Sequence, residues 1–79
     1  MTYCCCFAPF FHTIKIRGIS ARKVSIDTGI SRSTIWRMYQ NALDPIHTKI
    51  NFTLNLLVIL CSYLHCAMEQ IVELRIVQE

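Results

Sequence analysis

The stretch from Ile30 to Met38 constrains the fold more than any other part of this 79-residue chain. Near its start stands Ser31, whose hydroxyl can accept a hydrogen bond from a backbone amide of the next turn, which makes it a good helix N-cap. Ile35 and Met38 are three positions apart and therefore share one face of a helix. We predict a short helix that buries this apolar face and exposes a polar, cationic face carrying Arg32, Ser33, Trp36 and Arg37.

A second capped helix precedes this one. Ser20 can cap a helix over Ala21–Thr28, and Gly29 can take the positive φ that ends it. The two helices then meet at the three-residue turn Gly29-Ile30-Ser31. This arrangement predicts a helix-turn-helix, in which the second helix enters the major groove of DNA and the first lies across the backbone.

Three groups of residues at this site carry a family resemblance: Gly18-Ile19-Ser20, Val24-Ser25, and Gly29-Ile30-Ser31-Arg32-Ser33-Thr34-Ile35 followed after one residue by Arg37-Met38. With them the chain resembles the XRE-like helix-turn-helix proteins related to phage Cro and phage repressors, from about Pro9 to Leu74. The resemblance implies an all-α fold, a compact five-helix lambda-repressor-like DNA-binding domain.

The resemblance also implies roles for individual residues of the second helix. Arg32 and Ser33 would reach base edges, Ser31 and Thr34 a phosphate or base, and Arg37 a phosphate. The predicted partner is double-stranded DNA. The whole predicted DNA-binding set comprises Ser20, Arg22, Lys23, Ser31, Arg32, Ser33, Thr34, Trp36 and Arg37.

The sequence departs from the family pattern at two positions. The glutamine that often follows the first cap and clamps a phosphate is replaced by Ala21, so Arg22 or Lys23 would have to supply that contact. The glutamate often found after the last core residue of the recognition helix is replaced by Tyr39. Trp36 has two alternatives: it packs on deoxyribose or a thymine methyl in the groove, or it folds back over the loop at Asp44-Pro45.

The charge distribution favours a polyanionic partner. Between residues 12 and 38, six basic residues stand against one acidic residue, Asp27, which gives this segment a net charge of +5. The rest of the chain is mildly acidic, so the overall charge is only +3. A basic patch on a small domain is typical of proteins that bind nucleic acid.

Helical spacing and turn signals place the remaining elements. We expect the first eight residues to be loosely ordered, residues 9–74 to form the domain and residues 75–79 to be a tail. Thr13–Arg17 also alternates with the period of a strand, and the family resemblance favours a helix there. The predicted helices are Pro9–Arg17, Ala21–Thr28, Arg32 to about Gln40 with Asn41 as its C-cap, Leu54–Leu64 capped by Thr53, and Met68 to about Leu74.

Composition argues against several other classes of protein. Five cysteines, an odd number, favour a reduced cytoplasmic chain over a disulfide framework. Cys61, His65 and Cys66 lack the four paired ligands of a structural zinc site, so we predict neither metal nor cofactor. The apolar run Leu56–Cys61 is far shorter than the roughly 18 residues of a membrane span. No arrangement of catalytic groups predicts an enzyme.

These observations lead to one main hypothesis and two rivals. The main hypothesis is a transcriptional repressor that occupies a two-fold symmetric operator as a homodimer, with no membrane partner and no small-molecule ligand. Its dimer surface would be C-terminal, where Val72, Leu74 and Ile76 leave apolar groups uncovered. The rivals are a protein-interaction module, such as an antitoxin or accessory subunit, and a membrane-surface peptide that uses the Phe-rich N-terminus.

Overall fold

Four α-helices and a two-stranded sheet build the fold in the computed structural model, which describes residues 2–77. The elements run in the order β1 (Thr2–Cys6), α1 (Ala8–Ile16), α2 (Ala21–Thr28), α3 (Arg32–Leu43), α4 (Leu54–Leu64), a 3₁₀ helix (Met68–Gln70) and β2 (Glu73–Val77). The bounds predicted for α2 and α4 are confirmed, and α1 is shifted by one residue. The mostly helical fold with a helix-turn-helix is therefore as expected, but the five-helix, all-α description is wrong.

The two ends of the described chain pair with each other as antiparallel strands. Tyr3 lies opposite Ile76, and Cys5 lies opposite Leu74. The first residues are therefore not the loosely ordered extension that we expected, and the predicted fifth helix ends after its 3₁₀ turn at Gln70. Of the predicted tail, residues 75–77 belong to β2, whereas residues 78 and 79, like residue 1, lie outside the described residues.

The core lies between the four helices and beneath the sheet. On the helix-turn-helix, Ile35 and Met38 are buried as predicted, and Val24 of α2 is buried with them. On α4, Leu57, Leu60 and Leu64 are buried, but Leu54 is 67% exposed because it stands in the first turn, beyond the core. The buried cluster comprises Phe7, Phe10, Ile14, Val24, Ile35, Met38, Leu57, Leu60, Leu64 and Ile71.

Asn41 is a buried polar clamp rather than the C-cap that the sequence suggested. Helix α3 continues to Leu43, and Asn41 is only 1% exposed within it. Its Oδ1 accepts a hydrogen bond from the Phe7 amide at 3.0 Å, while its Nδ2 donates to the Cys5 carbonyl at 3.0 Å and the Thr48 carbonyl at 2.8 Å. One side chain thus ties α3 to the junction of β1 and α1 and to the loop after α3.

Arg17, one of the basic residues between positions 12 and 38, connects two helices. It is the C-cap residue of α1, and its guanidinium donates a hydrogen bond to the Leu64 carbonyl at the end of α4. A cation at this position also interacts favourably with the partial negative charge of a helix C-terminus. One of the six basic residues of the +5 segment is therefore engaged in joining α1 to α4.

The described residues contain neither a candidate membrane span nor a candidate metal site. No helix within residues 2–77 is long and apolar enough to cross a membrane. No group of three or more His, Cys, Asp or Glu side chains in this range could hold a metal ion. Cys61 and Cys66 are half-buried rather than fully buried, and burial, followed by the neighbouring Cys61, raises the pKa of the Cys66 thiol.

Candidate nucleic-acid interface

The turn between α2 and α3 is held by its own side chains. Gly29 has φ 78° and ψ 4°, a left-handed conformation that favours glycine, and its amide donates to the Ser25 carbonyl at 3.0 Å. The Ser25 hydroxyl donates to the Ile30 carbonyl at 2.6 Å, and the Thr28 hydroxyl donates to the Val24 carbonyl at 2.6 Å. The Ile30 amide in turn donates to the Thr28 hydroxyl at 3.3 Å. These bonds hold Gly29 and Ile30 against the end of α2 and so define the path of the turn.

Both N-caps predicted for the helix-turn-helix are present. The Ser20 hydroxyl accepts a hydrogen bond from the Lys23 amide at 3.1 Å, and the Ser31 hydroxyl accepts one from the Thr34 amide at 3.2 Å. Ser31 Oγ also lies 2.8 Å from Thr34 Oγ1 and 3.2 Å from Ser33 Oγ. Three hydroxyl groups and the free amides of a helix N-terminus thus meet at the start of α3, an arrangement suited to phosphate oxygens.

The two faces of α3 divide as the sequence predicted. Ile35 and Met38 are buried, whereas the side chains of the opposite face stand in solvent and Thr34 is half-buried. The exposed face therefore offers two guanidinium groups, one hydroxyl and one indole to a partner, in the residues Arg32, Ser33, Trp36 and Arg37.

Trp36 belongs to a row of aromatic rings that joins α3 to α1. Its ring stacks on Tyr39, with ring centroids 5.8 Å apart and an angle of 26° between the planes. Tyr39 meets Phe11 edge to face at 5.4 Å, and Phe11 meets the buried Phe10 in the same way at 4.8 Å. Trp36 is still 58% exposed. Stacking on Tyr39 was part of neither alternative for Trp36, and it gives a role to the tyrosine that replaces the family's glutamate.

The cationic residues of α2 have different surroundings. Lys23 Nζ lies 3.3 Å from Asp27 Oδ2, and the same oxygen accepts a hydrogen bond from the Tyr63 hydroxyl at 2.6 Å. The hydrogen bond from Tyr63, followed by the one from Lys23, lowers the pKa of Asp27, and the bond to Asp27 raises the pKa of Tyr63. Lys23 is therefore partly neutralised, while Arg22 lines a groove beside α3.

Comparison with known proteins agrees with this architecture. A family model of the Cro/C1-type helix-turn-helix DNA-binding domain matches residues 12–75, which is most of the chain. The chain belongs to this family. The XRE-like resemblance of the sequence is thereby confirmed, and the matched domain is of a DNA-binding kind.

A solved structure shows the same fold as this Cro/C1-type domain. The crystal structure of the transcriptional regulator VanUg matches with a TM-score of 0.76, covering 95% of this chain and 89% of that chain, at 19% sequence identity. No curated protein matches the sequence. At this identity, the structural match describes the fold and carries no residue roles.

Sequence reasoning missed three contributions to the site of this Cro/C1-type domain. They are the link between Asp27 and Tyr63, the row of aromatic rings, and the clamp at Asn41. Each joins residues that are far apart in the chain, so the hydrogen-bonding or stacking partner cannot be found by local spacing. The available signal was weak: Asp27 is the only acidic residue between residues 12 and 38.

We expect the Tyr63→Phe substitution to lower the melting temperature at about pH 7 and to have less effect in acid. The lowered pKa of Asp27 means that its stabilising contribution is present above the ordinary value of 3.8 and is lost as the pH falls through the pKa of the folded state. The raised pKa of Tyr63 means that its contribution is present below 10.0 and is lost as the pH rises through the raised value.

Melting curves across the pH range, with the Asp27 carboxyl titrated by NMR, test this prediction. The substituted protein should also show a higher Asp27 pKa, because the largest cause of its depression is removed. Tyr39→Phe is the matched control, since it removes the same hydroxyl group away from Asp27. An equal loss of melting temperature in acid and at neutral pH would contradict the assignment.

Proposed function

We propose that this domain is a sequence-specific transcriptional regulator that represses by occupying an operator and blocking access to it. The observation that carries the proposal is the exposed cationic and hydroxyl-bearing face of α3, presented on a turn that its own hydrogen bonds hold rigid. Such a helix can lie in the major groove while α2 crosses the backbone. The Cro/C1-type family supports DNA binding, and the proposal adds the repressor mode. We propose no catalytic activity and a cytoplasmic location.

The proposed contacts fall into two classes. Arg32 and Ser33 read base edges, because they stand in the first turn of α3, the end that approaches the bases in this motif. Ser31 and Thr34 contact a phosphate or base at the helix N-terminus. The phosphate contacts come from Arg37 and from the start of α2, where Ser20, Arg22 and Lys23 stand, and Trp36 packs on a sugar or a thymine methyl.

Arg32→Ala and Arg37→Ala are expected to weaken DNA binding in different ways. Loss of a base contact by Arg32→Ala should cost about 1 to 3 kcal/mol on the preferred site and relax specificity at one base pair. Loss of a phosphate contact by Arg37→Ala should weaken binding to all sequences alike and reduce the salt slope by about 1. Lys49→Ala, in the loop after α3, is the control for loss of one positive charge.

The experiment selects bound sequences from random duplex DNA and then measures affinities of the wild type and variants over a salt series. Enrichment of a defined sequence supports a specific reader of DNA. If Arg32→Ala and Arg37→Ala lose affinity equally on the selected site and on unrelated DNA, the division into base and phosphate contacts is wrong. Binding that depends on salt but selects no sequence would contradict the proposed function itself.

We further propose that the active species is a homodimer on a two-fold symmetric operator, joined through the outer face of the sheet. Residues opposite each other in an antiparallel pair point to the same side, so Tyr3, Cys5, Leu74 and Ile76 share one face. Leu74 is 68% exposed and Ile76 is 50% exposed, whereas Cys4 on the other face is buried. One recognition helix reads only a few base pairs, and a dimer can place two of them about 34 Å apart on one side of the duplex.

A second candidate function uses the same exposed apolar face. A protein-interaction module, such as an antitoxin or accessory subunit, would bind a different protein there instead of a second copy of the chain. The selection experiment separates the two candidates, because an interaction module without DNA specificity would enrich no sequence.

A further inference from the structure

An open groove of about 660 Å³ lies where α1, α2 and α3 meet. Its walls are mainly apolar, and their largest members are the rings of Phe11, Trp36 and Tyr39. The floor contains Ile14 and Ile35, which are buried, so the groove reaches down to the core. This volume and this lining fall within the range of sites that bind small organic molecules.

The rim of the groove is cationic. Lys15, Arg22 and Arg32 stand around it, and none of the described lining residues is acidic. Within residues 2–77, the ion pairs involve Lys23, His47 and Arg75 rather than these three residues. The groove therefore combines an aromatic interior with three positive charges that have no acidic partner within ion-pair distance in the described part of the chain.

We propose that this groove binds a small aromatic organic anion. The flat apolar part of such a ligand would pack against the row formed by the rings of Trp36, Tyr39 and Phe11, which contact one another in stacked and edge-to-face geometries. Its carboxylate or sulfonate would lie at the rim, where an ammonium and two guanidinium groups can approach it. This binding site differs from the sequence-based expectation, which included no small-molecule ligand.

Occupancy of the groove would oppose DNA binding. This competition rests on the proposed function. Arg22, Arg32 and Trp36 belong both to the groove and to the proposed DNA surface. A bound anion would neutralise the two arginines and cover the indole ring. The ligand and the operator therefore compete, and the groove would make the repressor responsive to an aromatic acid.

Ligand binding can be measured without DNA through the single tryptophan of the chain. The probe is naphthalene-2-carboxylate, and the readout is the NMR shift of the Trp36 indole N–H during titration. We expect a saturable shift with a Kd on the order of 0.1 to 1 mM, as befits a ligand of this size. The uncharged isostere naphthalene-2-carboxamide should bind about fivefold or more weakly, because it cannot use the cationic rim.

Two variants and a control locate the site. Lys15→Gln should weaken binding of the carboxylate about two- to fivefold and leave the carboxamide unaffected, because Lys15 supplies only charge at the rim. Tyr39→Leu should weaken both ligands, because it removes one aromatic wall. Lys49→Gln removes a positive charge outside the groove and should change neither affinity. Lys15 is outside the proposed DNA-contact set, so Lys15→Gln should still select the same DNA sequence as the wild type.

The outcomes separate this proposal from the proposed function. A shift that does not saturate, or an identical affinity for carboxylate and carboxamide in the wild type and in Lys15→Gln, would overturn the groove site. Saturable binding by a protein that selects no DNA sequence would support the groove site while the proposed function fails. Where both bind, displacement of the selected DNA by the carboxylate and not by the carboxamide supports competition, and simultaneous binding overturns it.

Discussion

The Asn41→Leu variant is expected to lose about 3 kcal/mol of unfolding free energy, a large part of the total stability of so small a domain. Leu has the same number and branching of side-chain heavy atoms as Asn, so the substitution keeps the shape and removes the hydrogen bonds, although its methyl groups are bulkier than the amide. The substitution leaves the Phe7 amide and the carbonyls of Cys5 and Thr48 without their present partner. A backbone group that is buried without a partner costs about 1 to 3 kcal/mol.

Urea unfolding monitored by circular dichroism measures this loss. Asn41→Asp keeps an acceptor for the Phe7 amide but puts a carboxylate oxygen against the carbonyls of Cys5 and Thr48, so it should be at least as destabilising as Asn41→Leu at neutral pH. Asn55→Ala is the matched control, since Asn55 is an exposed asparagine in a helix. A change within about 0.5 kcal/mol for Asn41→Leu would show that the clamp adds nothing net to stability.

The second large effect is expected from Ile76→Glu, which should convert the protein to a monomer and reduce operator affinity by about 100-fold or more. In the proposed dimer, the two-fold axis brings the outer face of each sheet against the same face of the other copy. A carboxylate placed there must lose its hydration and face a second carboxylate. Ile76 is half-exposed in the single chain, so the fold itself should tolerate the change.

Sedimentation velocity and operator titration measure the two consequences together. Leu54→Glu is the matched control, because Leu54 is also an exposed apolar residue but lies on α4 rather than on the sheet. It should leave both mass and affinity unchanged. If Ile76→Glu also leaves them unchanged, the outer sheet face is not the dimer interface.

The helix-turn-helix could be predicted from the sequence because its signals are local. The hydroxyls of Ser20 and Ser31 each accept a hydrogen bond from the amide three residues later. Gly29 adopts the left-handed backbone conformation that ends α2, which glycine takes without strain. The burial of Ile35 and Met38 follows from helical periodicity alone. The exposed face of α3 was therefore predictable residue by residue, although periodicity does not say what binds to that face.

The sheet could not be predicted in the same way because its two strands come from opposite ends of the chain. Leu74 and Ile76 alternate with Glu73 and Arg75, which is the period of a strand, but that pattern supports a strand only when a partner is available. The partner is a run of cysteines near the N-terminus, which has little other strand signal. The predicted helix from Met68 to Leu74 is therefore replaced by a short 3₁₀ helix and by a strand that pairs with the N-terminal strand.

Sequence reasoning missed the Asn41 clamp and the groove for a related reason. Asn is a common residue at helix ends, so a prediction based on local preference stops the helix there, whereas three tertiary hydrogen bonds hold Asn41 inside it. The groove depends on how far apart α1, α2 and α3 stand and on the direction of large rings such as Trp36. The spacing of residues along one helix predicts neither the distance between helices nor the direction of these side chains.

The pairing of β1 with β2 also sets an order for folding. Closing a loop of about 70 residues costs conformational entropy, which is offset only when the contacts between the strands are complete. The helices α2 and α3 and the turn between them instead form through contacts between residues that are close in the sequence. The outer face of the sheet, with Tyr3 from one strand and Ile76 from the other, exists only after that closure. During synthesis, the recognition helix can form before β2 has left the ribosome, but the surface proposed for self-association cannot. Incomplete chains would thus be unable to capture finished subunits through this surface.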